Sequence, residues 1–122
     1  MTQNIGSIFA GNWQEQFDAC KAEVGDGIYS ILLSHRPELT EKYKDSGFDL
    51  VVAGHAHGGQ VRIPGIINGL LAPNQGYFPK YAGGRYDMGE TVMIVNRGLQ
   101  KDSIPRVFNP PDLVIVSLKP EK

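Results

Sequence analysis

The chain has 122 residues, of which 41% are hydrophobic and 20% are charged, a composition typical of one folded domain rather than of a disordered segment. Its net charge is −1 and its basic residues are not clustered, which argues against nucleic acid as the main partner. No apolar run approaches the ~20 residues of a membrane helix, and a single cysteine, Cys20, excludes a disulfide within the chain. We therefore expect one domain over residues 1–122, with the cytoplasm as its default location.

The first pattern along the chain is amphipathic. Residues 5–10 are a possible short strand, and the segment 13–23 then places Trp13, Phe17 and either Cys20 or Lys21 at helical spacing. We expect a helix here that packs its aromatic face on a core.

Residues 31–53 predict a strand, a helix and a second strand. The short apolar runs 31–33 and 50–53 are typical of buried strands, and the polar segment 37–46, closed by Gly47, is typical of a helix. A crossover of this length allows the two strands to lie parallel. His35 and His55 then follow strands that end at one edge of the sheet, where ligands of open α/β sheets bind.

His57 lies two residues beyond His55, so all three histidines of the chain are expected to converge at this edge. Gly54 and Gly58 leave the backbone around them free to bend. Neutral imidazole is a ligand for Zn, Fe, Mn or Ni, and the three histidines therefore predict a transition-metal site.

Carboxylates are not expected to join this site. Asp49 precedes its strand and should lie at the opposite edge of the sheet, and Glu38 and Asp45 belong to the polar helix. A dinuclear hydrolytic centre needs a negative ligand to bridge its two cations, so the site predicted here is incomplete.

The remaining residues contain fewer clear signals. Residues 60–63 are a possible strand, and 64–89 form a long segment rich in Gly, Pro, Asn and Tyr, which predicts a functional loop. The apolar segment 90–96 predicts a core strand, 104–108 a short strand, and 113–118 a last strand before a polar tail.

Several motifs together resemble one enzyme family. The segment 54–60, Gly-His-Ala-His-Gly-Gly-Gln, preceded by the apolar residues 48–52, resembles the Gly-His-x-His motif of the calcineurin-like metallophosphoesterases, in particular their bacterial YkuE-type branch. The segments 31–37, 95–99 and 104–108 are similar to other motifs of that branch, in the same order. The resemblance covers roughly residues 28–118.

The resemblance implies an α/β fold that is the C-terminal half of an αββα sandwich, with a mixed sheet and flanking helices. The resemblance implies that this chain is the C-terminal half of a longer enzyme, called the parent enzyme below. In the parent enzyme it implies two divalent transition metal ions (Mn, Fe or Zn), with His35 and His55 on one ion and His57 on the other. The family's earlier Asp-x-His, Gly-Asp and Gly-Asn-His-Asp/Glu motifs, which supply the bridging ligand and the acid, are absent, and Gly11-Asn12-Trp13 lacks the histidine. We therefore expect no catalytic residue in this chain and at most one bound ion.

Two functions follow as alternatives. In the first, the parent protein hydrolyses a phosphoester, and Arg36 and Arg85, with the loop around Tyr77 and Tyr81, contact the substrate; membrane association of the parent stays open. In the second, the chain is a non-catalytic half-domain that binds metal weakly or serves association. Because half a sandwich leaves an apolar sheet face uncovered, we also expect a homodimer that packs face on face.

Overall fold

The computed structural model describes residues 12–63, 65–72, 75–99 and 106–120. The possible strand at 5–10 and the first two residues of the 104–108 segment lie outside this part of the chain. In it, α1 spans Trp13–Ala22, β1 Ile31–Ser34, α2 Thr40–Tyr43 and β2 Leu50–Ala53. A 3₁₀ turn follows at His57–Gly59, then β3 (Leu71–Ala72), β4 (Gly76–Tyr77), β5 (Gly84–Met88) and β6 (Thr91–Val95).

The predicted strand–helix–strand unit is confirmed. β1 pairs with β2 in parallel, with Ser34 opposite Ala53, and β2 pairs in parallel with β6. The helix between β1 and β2 is shorter than predicted, since only Thr40–Tyr43 is helical. It begins after Leu39, whose ψ is 38°, and it ends where the carbonyl of Tyr43 accepts from the N–H and the hydroxyl of Ser46 instead of from a helical partner.

The segment 64–89 is more regular than predicted. Its last residues form β5, which pairs antiparallel with β6 and gives the four-stranded sheet the order β1-β2-β6-β5. Met88 lies opposite Thr91, so the connection has two residues and begins with Gly89 at φ +76°, as hairpin turns require. β3 and β4 form a separate small antiparallel pair.

One face of the sheet carries the core. Leu32, Val51 and Met93 lie side by side on this face and are buried. The helix α1 covers it through Phe17, whose ring lies 5.9 Å from that of Tyr43 and 6.0 Å from that of Phe48, centroid to centroid. The amphipathic helix predicted at 13–23 is therefore confirmed over Trp13–Ala22, with Cys20 exposed.

The opposite face is only half covered within the described residues. Val52 and Ile94 on the central strands are half-buried, and Leu33 on β1 is 62% exposed. These residues share one line across the sheet because Leu33 pairs with Val52 and Val52 with Ile94. Buried and half-exposed apolar residues therefore alternate along β6, as expected for a sheet of which this chain covers only one face.

The predicted last strand at 113–118 is wrong. These residues form no strand, and Leu113 and Ile115 are 79% and 83% exposed. The apolar content gave the right propensity, but a strand also needs a neighbour to satisfy its backbone, and none of the described strands lies beside it. Among the described residues, no helix has both the length and the apolar character needed to cross a bilayer.

Candidate metal centre

The sheet brings the three histidines to one place, as predicted. His35 follows β1 directly and His55 lies two residues after β2, at the carboxyl ends of paired parallel strands. The ring centroids of His35 and His55 are 5.4 Å apart, and those of His55 and His57 are 6.4 Å apart. Such convergence requires both the parallel pairing and the turn that follows β2.

The spacing of the first pair fits one metal ion. Two imidazoles that bind the same ion through metal–nitrogen bonds of ~2.1 Å have centroids roughly 5–6 Å apart. His35 and His55 meet this condition, and His57 extends the row of rings on the far side of His55. Within the described residues, however, no three His, Cys, Asp or Glu side chains gather closely enough to enclose one ion.

Asp49 and Glu38, which were not expected to join the histidines, have partners of their own. Asp49 lies at the opposite edge of the sheet, as expected, where its Oδ2 accepts from the backbone N–H of Ser30 at 2.7 Å. Glu38 differs from the prediction: it precedes α2 and is half-buried, and its Oε1 pairs with Nε of Arg36. The loop after β1 thus holds its acidic residue against the neighbouring arginine instead of exposing it on a helix.

The loop that carries His55 and His57 has an unusual backbone. Five of its six residues have positive φ: His55 (72°), His57 (48°), Gln60 (60°) and the glycines at 58 and 59. For a non-glycine residue this left-handed conformation costs ~1–2 kcal/mol. Strain of this kind persists only where the surroundings impose it, and it is concentrated at functional sites.

Close contacts with other segments of the chain explain the two glycines. A Cβ on Gly59 would lie 2.4 Å from Cα of Gly69, and the carbonyl of Gly59 accepts from the N–H of Leu70 at 2.9 Å. A Cβ on Gly58 would lie 2.1 Å from Oδ1 of Asn109. The glycines are therefore needed for contacts with other segments as well as for the turn itself.

The end of β1 is fixed by a buried tyrosine. The Tyr43 hydroxyl donates to the carbonyl of Arg36 at 2.7 Å and lies 2.7 Å from Oγ of Ser34, so both neighbours of His35 are held. Burial raises the pKa of Tyr43 to about 12, which keeps the hydroxyl neutral and able to donate. His35 itself is exposed, and its position follows from this backbone anchor.

The central histidine is biased toward its neutral form. Burial lowers the pKa of His55, and the nearby imidazoles of His35 and His57 lower it further, since a second positive charge is unfavourable there. Neutral imidazole is the form that binds metal ions.

The two arginines predicted to contact substrate lie in different parts of the sheet. Arg36 is next to His35 at the end of β1, and its side chain is partly exposed. Arg85 lies on the edge strand β5, where it forms an exposed ion pair with Asp87 at 2.9 Å. Of the loop tyrosines, Tyr77 is exposed, whereas the Tyr81 hydroxyl accepts from Thr40 at 3.3 Å.

Comparison with known proteins finds relatives that are named metallophosphoesterases. The chain is 31% identical over 117 residues to the uncharacterized metallophosphoesterase YkuE of Bacillus subtilis, a match that covers 95% of the chain and 39% of the relative. It is 37% identical over 122 residues to an uncharacterized metallophosphoesterase of Campylobacter jejuni, covering 98% of the chain and 30% of the relative.

A third relative has a more specific name. The UDP-2,3-diacylglucosamine pyrophosphatase LpxG of Chlamydia muridarum is 31% identical over 121 residues, covering 92% of the chain and 35% of the relative. The chain thus spans about a third of the length of these relatives, from 30% to 39%. No protein-family model and no solved structure matches it.

Proposed function

Because the chain belongs to the calcineurin-like metallophosphoesterases and matches their C-terminal part, we propose that the whole protein hydrolyses phosphoesters and that this chain supplies three of its metal-binding histidines. The observation that carries the proposal is the convergence of His35, His55 and His57 at the carboxyl ends of β1 and β2. The mixed sheet with its flanking helices is consistent with the C-terminal half of an αββα sandwich.

The family resemblance implies the division of ligands: His35 and His55 would hold one divalent ion (Mn, Fe or Zn), and His57 would hold a second. The shorter centroid distance between His35 and His55 is compatible with this division. Such a pair of ions supplies charge stabilisation for phosphoryl oxygens and lowers the pKa of water. The described residues of this chain provide no bridging carboxylate, so we expect at most one ion to bind to it.

Arg36 is the better placed of the two candidate substrate contacts. It adjoins His35, and its Nε is already oriented by Glu38, which leaves the terminal nitrogens to meet an anionic group. Arg85 lies on β5, which is separated from β2 by β6, and would contact only a larger substrate.

Self-association is a separate part of the proposal. Two features of the described residues support it, the half-covered sheet face at Leu33, Val52 and Ile94 and the exposed apolar segment 113–118, since large exposed apolar patches often mark interfaces. We expect this chain to form a homodimer in which a second copy covers that surface. If metal binding is too weak to matter, the same surface supports the alternative function, a non-catalytic association module.

Turnover tests the enzymatic proposal. In the whole protein, His57→Ala should lower metal-dependent hydrolysis of a generic phosphodiester by orders of magnitude, since one ion loses its ligand where both share the developing charge. Gln14→Ala on the surface of α1 is the matched control and should leave turnover unchanged. This chain alone should show little or no hydrolysis. Undiminished turnover in the His57→Ala protein would contradict the proposal.

A further inference from the structure

The strained loop around His57 is held from outside by one buried side chain. Asn109 is 2% exposed, and its Nδ2 donates to the carbonyl of His57 at 2.6 Å and to the carbonyl of Gln60 at 3.3 Å. These two carbonyls begin and end the segment in which four successive residues have positive φ. One amide group therefore joins both ends of that segment.

The backbone near Asn109 is aligned with the same loop. The N–H of Val107 donates to the carbonyl of Gln60 at 3.0 Å, and the N–H of Arg62 donates to the carbonyl of Val107 at 2.9 Å. Val61 and Val107 form an isolated parallel bridge. Asn109 therefore follows a short segment whose backbone is hydrogen-bonded to the histidine loop, and this pairing places its side chain beside His57.

The contact is also a steric fit. The amide of Asn109 occupies the space that a side chain on residue 58 would fill, since a Cβ there would lie 2.1 Å from Oδ1 and 2.7 Å from Nδ2 of Asn109. A glycine at position 58 and an asparagine at position 109 therefore form a matched pair. The glycine permits the amide to approach within hydrogen-bond distance of the carbonyl of His57.

We propose that Asn109 is a positioning residue for the metal site, and that it fixes the His57 imidazole by holding the carbonyl of His57. The proposal rests on the proposed function, in which His57 binds a metal ion. A ligand whose backbone is held in a strained conformation keeps its ring in place before the ion arrives. Without that hold, part of the binding free energy is spent on ordering the loop.

The test replaces the donor while keeping the shape. Asn109→Asp places an oxygen where Nδ2 donates, so the two carbonyls lose their donor and meet negative charge. Asn12→Asp, at the exposed N-cap of α1, makes the same chemical change where the side chain accepts from the N–H of Glu15 at 3.1 Å, as an aspartate also can, and it serves as the control. Asn109→Ser keeps a shorter donor without a charge, and it replaces Asn109→Asp if that variant does not fold.

Two readouts are measured on folded protein. The first is the NMR signal of the His57 imidazole and of the amides of residues 57–60 in metal-free chain, which should shift or broaden in the Asn109 variants only. The second is calorimetric affinity for Zn²⁺, which should fall about 10- to 100-fold, the usual effect of removing a group that orients a ligand. A thermal unfolding curve confirms the fold of each variant.

The outcomes separate the two proposals. If the unsubstituted chain binds no Zn²⁺, the proposed metal binding by this chain fails, while the NMR comparison still tests the positioning of His57. If it binds Zn²⁺ and a folded Asn109 variant shows unchanged His57 signals and an affinity within twofold, the role of Asn109 is overturned.

Discussion

The close contact between the two loop segments makes Gly59 the most sensitive backbone position near the histidines. In a Gly59→Ala variant the new methyl would lie 2.4 Å from Cα of Gly69 and 3.0 Å from the amide nitrogen of Leu70, both backbone atoms that cannot rotate away. Two costs add. A non-glycine residue at φ +68° costs ~1–2 kcal/mol, and forcing the segments apart costs ~1–3 kcal/mol.

The expected loss is therefore ~2–5 kcal/mol in the free energy of unfolding, a large part of the ~5–15 kcal/mol typical of a domain. Urea unfolding followed by circular dichroism measures it. Gly27→Ala is the matched control, because φ is +72° there and a Cβ would meet nothing within 4 Å. Subtracting the two values isolates the steric contribution. Equal losses in the two variants would refute the argument that the loop segments are in obligatory contact.

Three further predictions concern other parts of the chain. Tyr43→Phe removes two buried hydrogen bonds and should lower stability by ~1–2 kcal/mol at neutral pH. Burial raises the folded-state pKa of Tyr43 from 10.0 to about 12, so the neutral hydroxyl adds stability below pH 10 that is lost between pH 10 and 12. Over that window the free energy of unfolding of the unsubstituted chain should fall by roughly 2–3 kcal/mol, and that of Tyr43→Phe should not show this loss. Urea unfolding midpoints at each pH measure the difference. His57→Gly should have a free energy of unfolding ~1 kcal/mol higher than His57→Ala, and so a higher urea midpoint, since only glycine accepts φ 48° without strain. Equal midpoints would contradict a strained loop. Finally, light scattering after size exclusion should give a dimer for this chain and a monomer when Leu113 and Ile115 are both changed to Lys; a monomer before substitution would rule out the homodimer.

The part of the fold that carries the histidines could be predicted from local patterns. The apolar runs 31–33 and 50–53 have the length and flanks of buried strands, and a crossover between them fixes their direction. The position of His35 and His55 follows from that pairing alone. This is why the site could be located before its geometry was known.

Other features depend on contacts between distant segments. β5 was not predicted, because Arg85-Tyr86-Asp87 on the exposed edge of the sheet shows only a weak alternation of polar and apolar residues. Gly89 in the following turn is the local residue that favours a hairpin there. The segment 113–118 has strand propensity without a neighbouring strand in the described part of the chain. Local propensity gives the tendency of a segment, and the partner decides its state.

The backbone of the histidine loop could be predicted only in outline. The glycines at 58 and 59 indicated a tight turn, but nothing local indicates that His55, His57 and Gln60 also adopt left-handed conformations. Asn109 was missed for the same reason, since it lies 52 residues from His57 and its role appears only through hydrogen bonding. An asparagine between Phe and Pro is a common loop sequence with no metal signal of its own.

Metal binding by the histidines is the central claim, and calorimetric titration with Zn²⁺ or Mn²⁺ tests it most directly. His55 lies between the other two rings, so its removal breaks both neighbouring pairs at once. We expect the unsubstituted chain to bind one ion and His55→Ala to bind none, with both proteins folded by circular dichroism. Identical titrations of the two proteins would contradict the account.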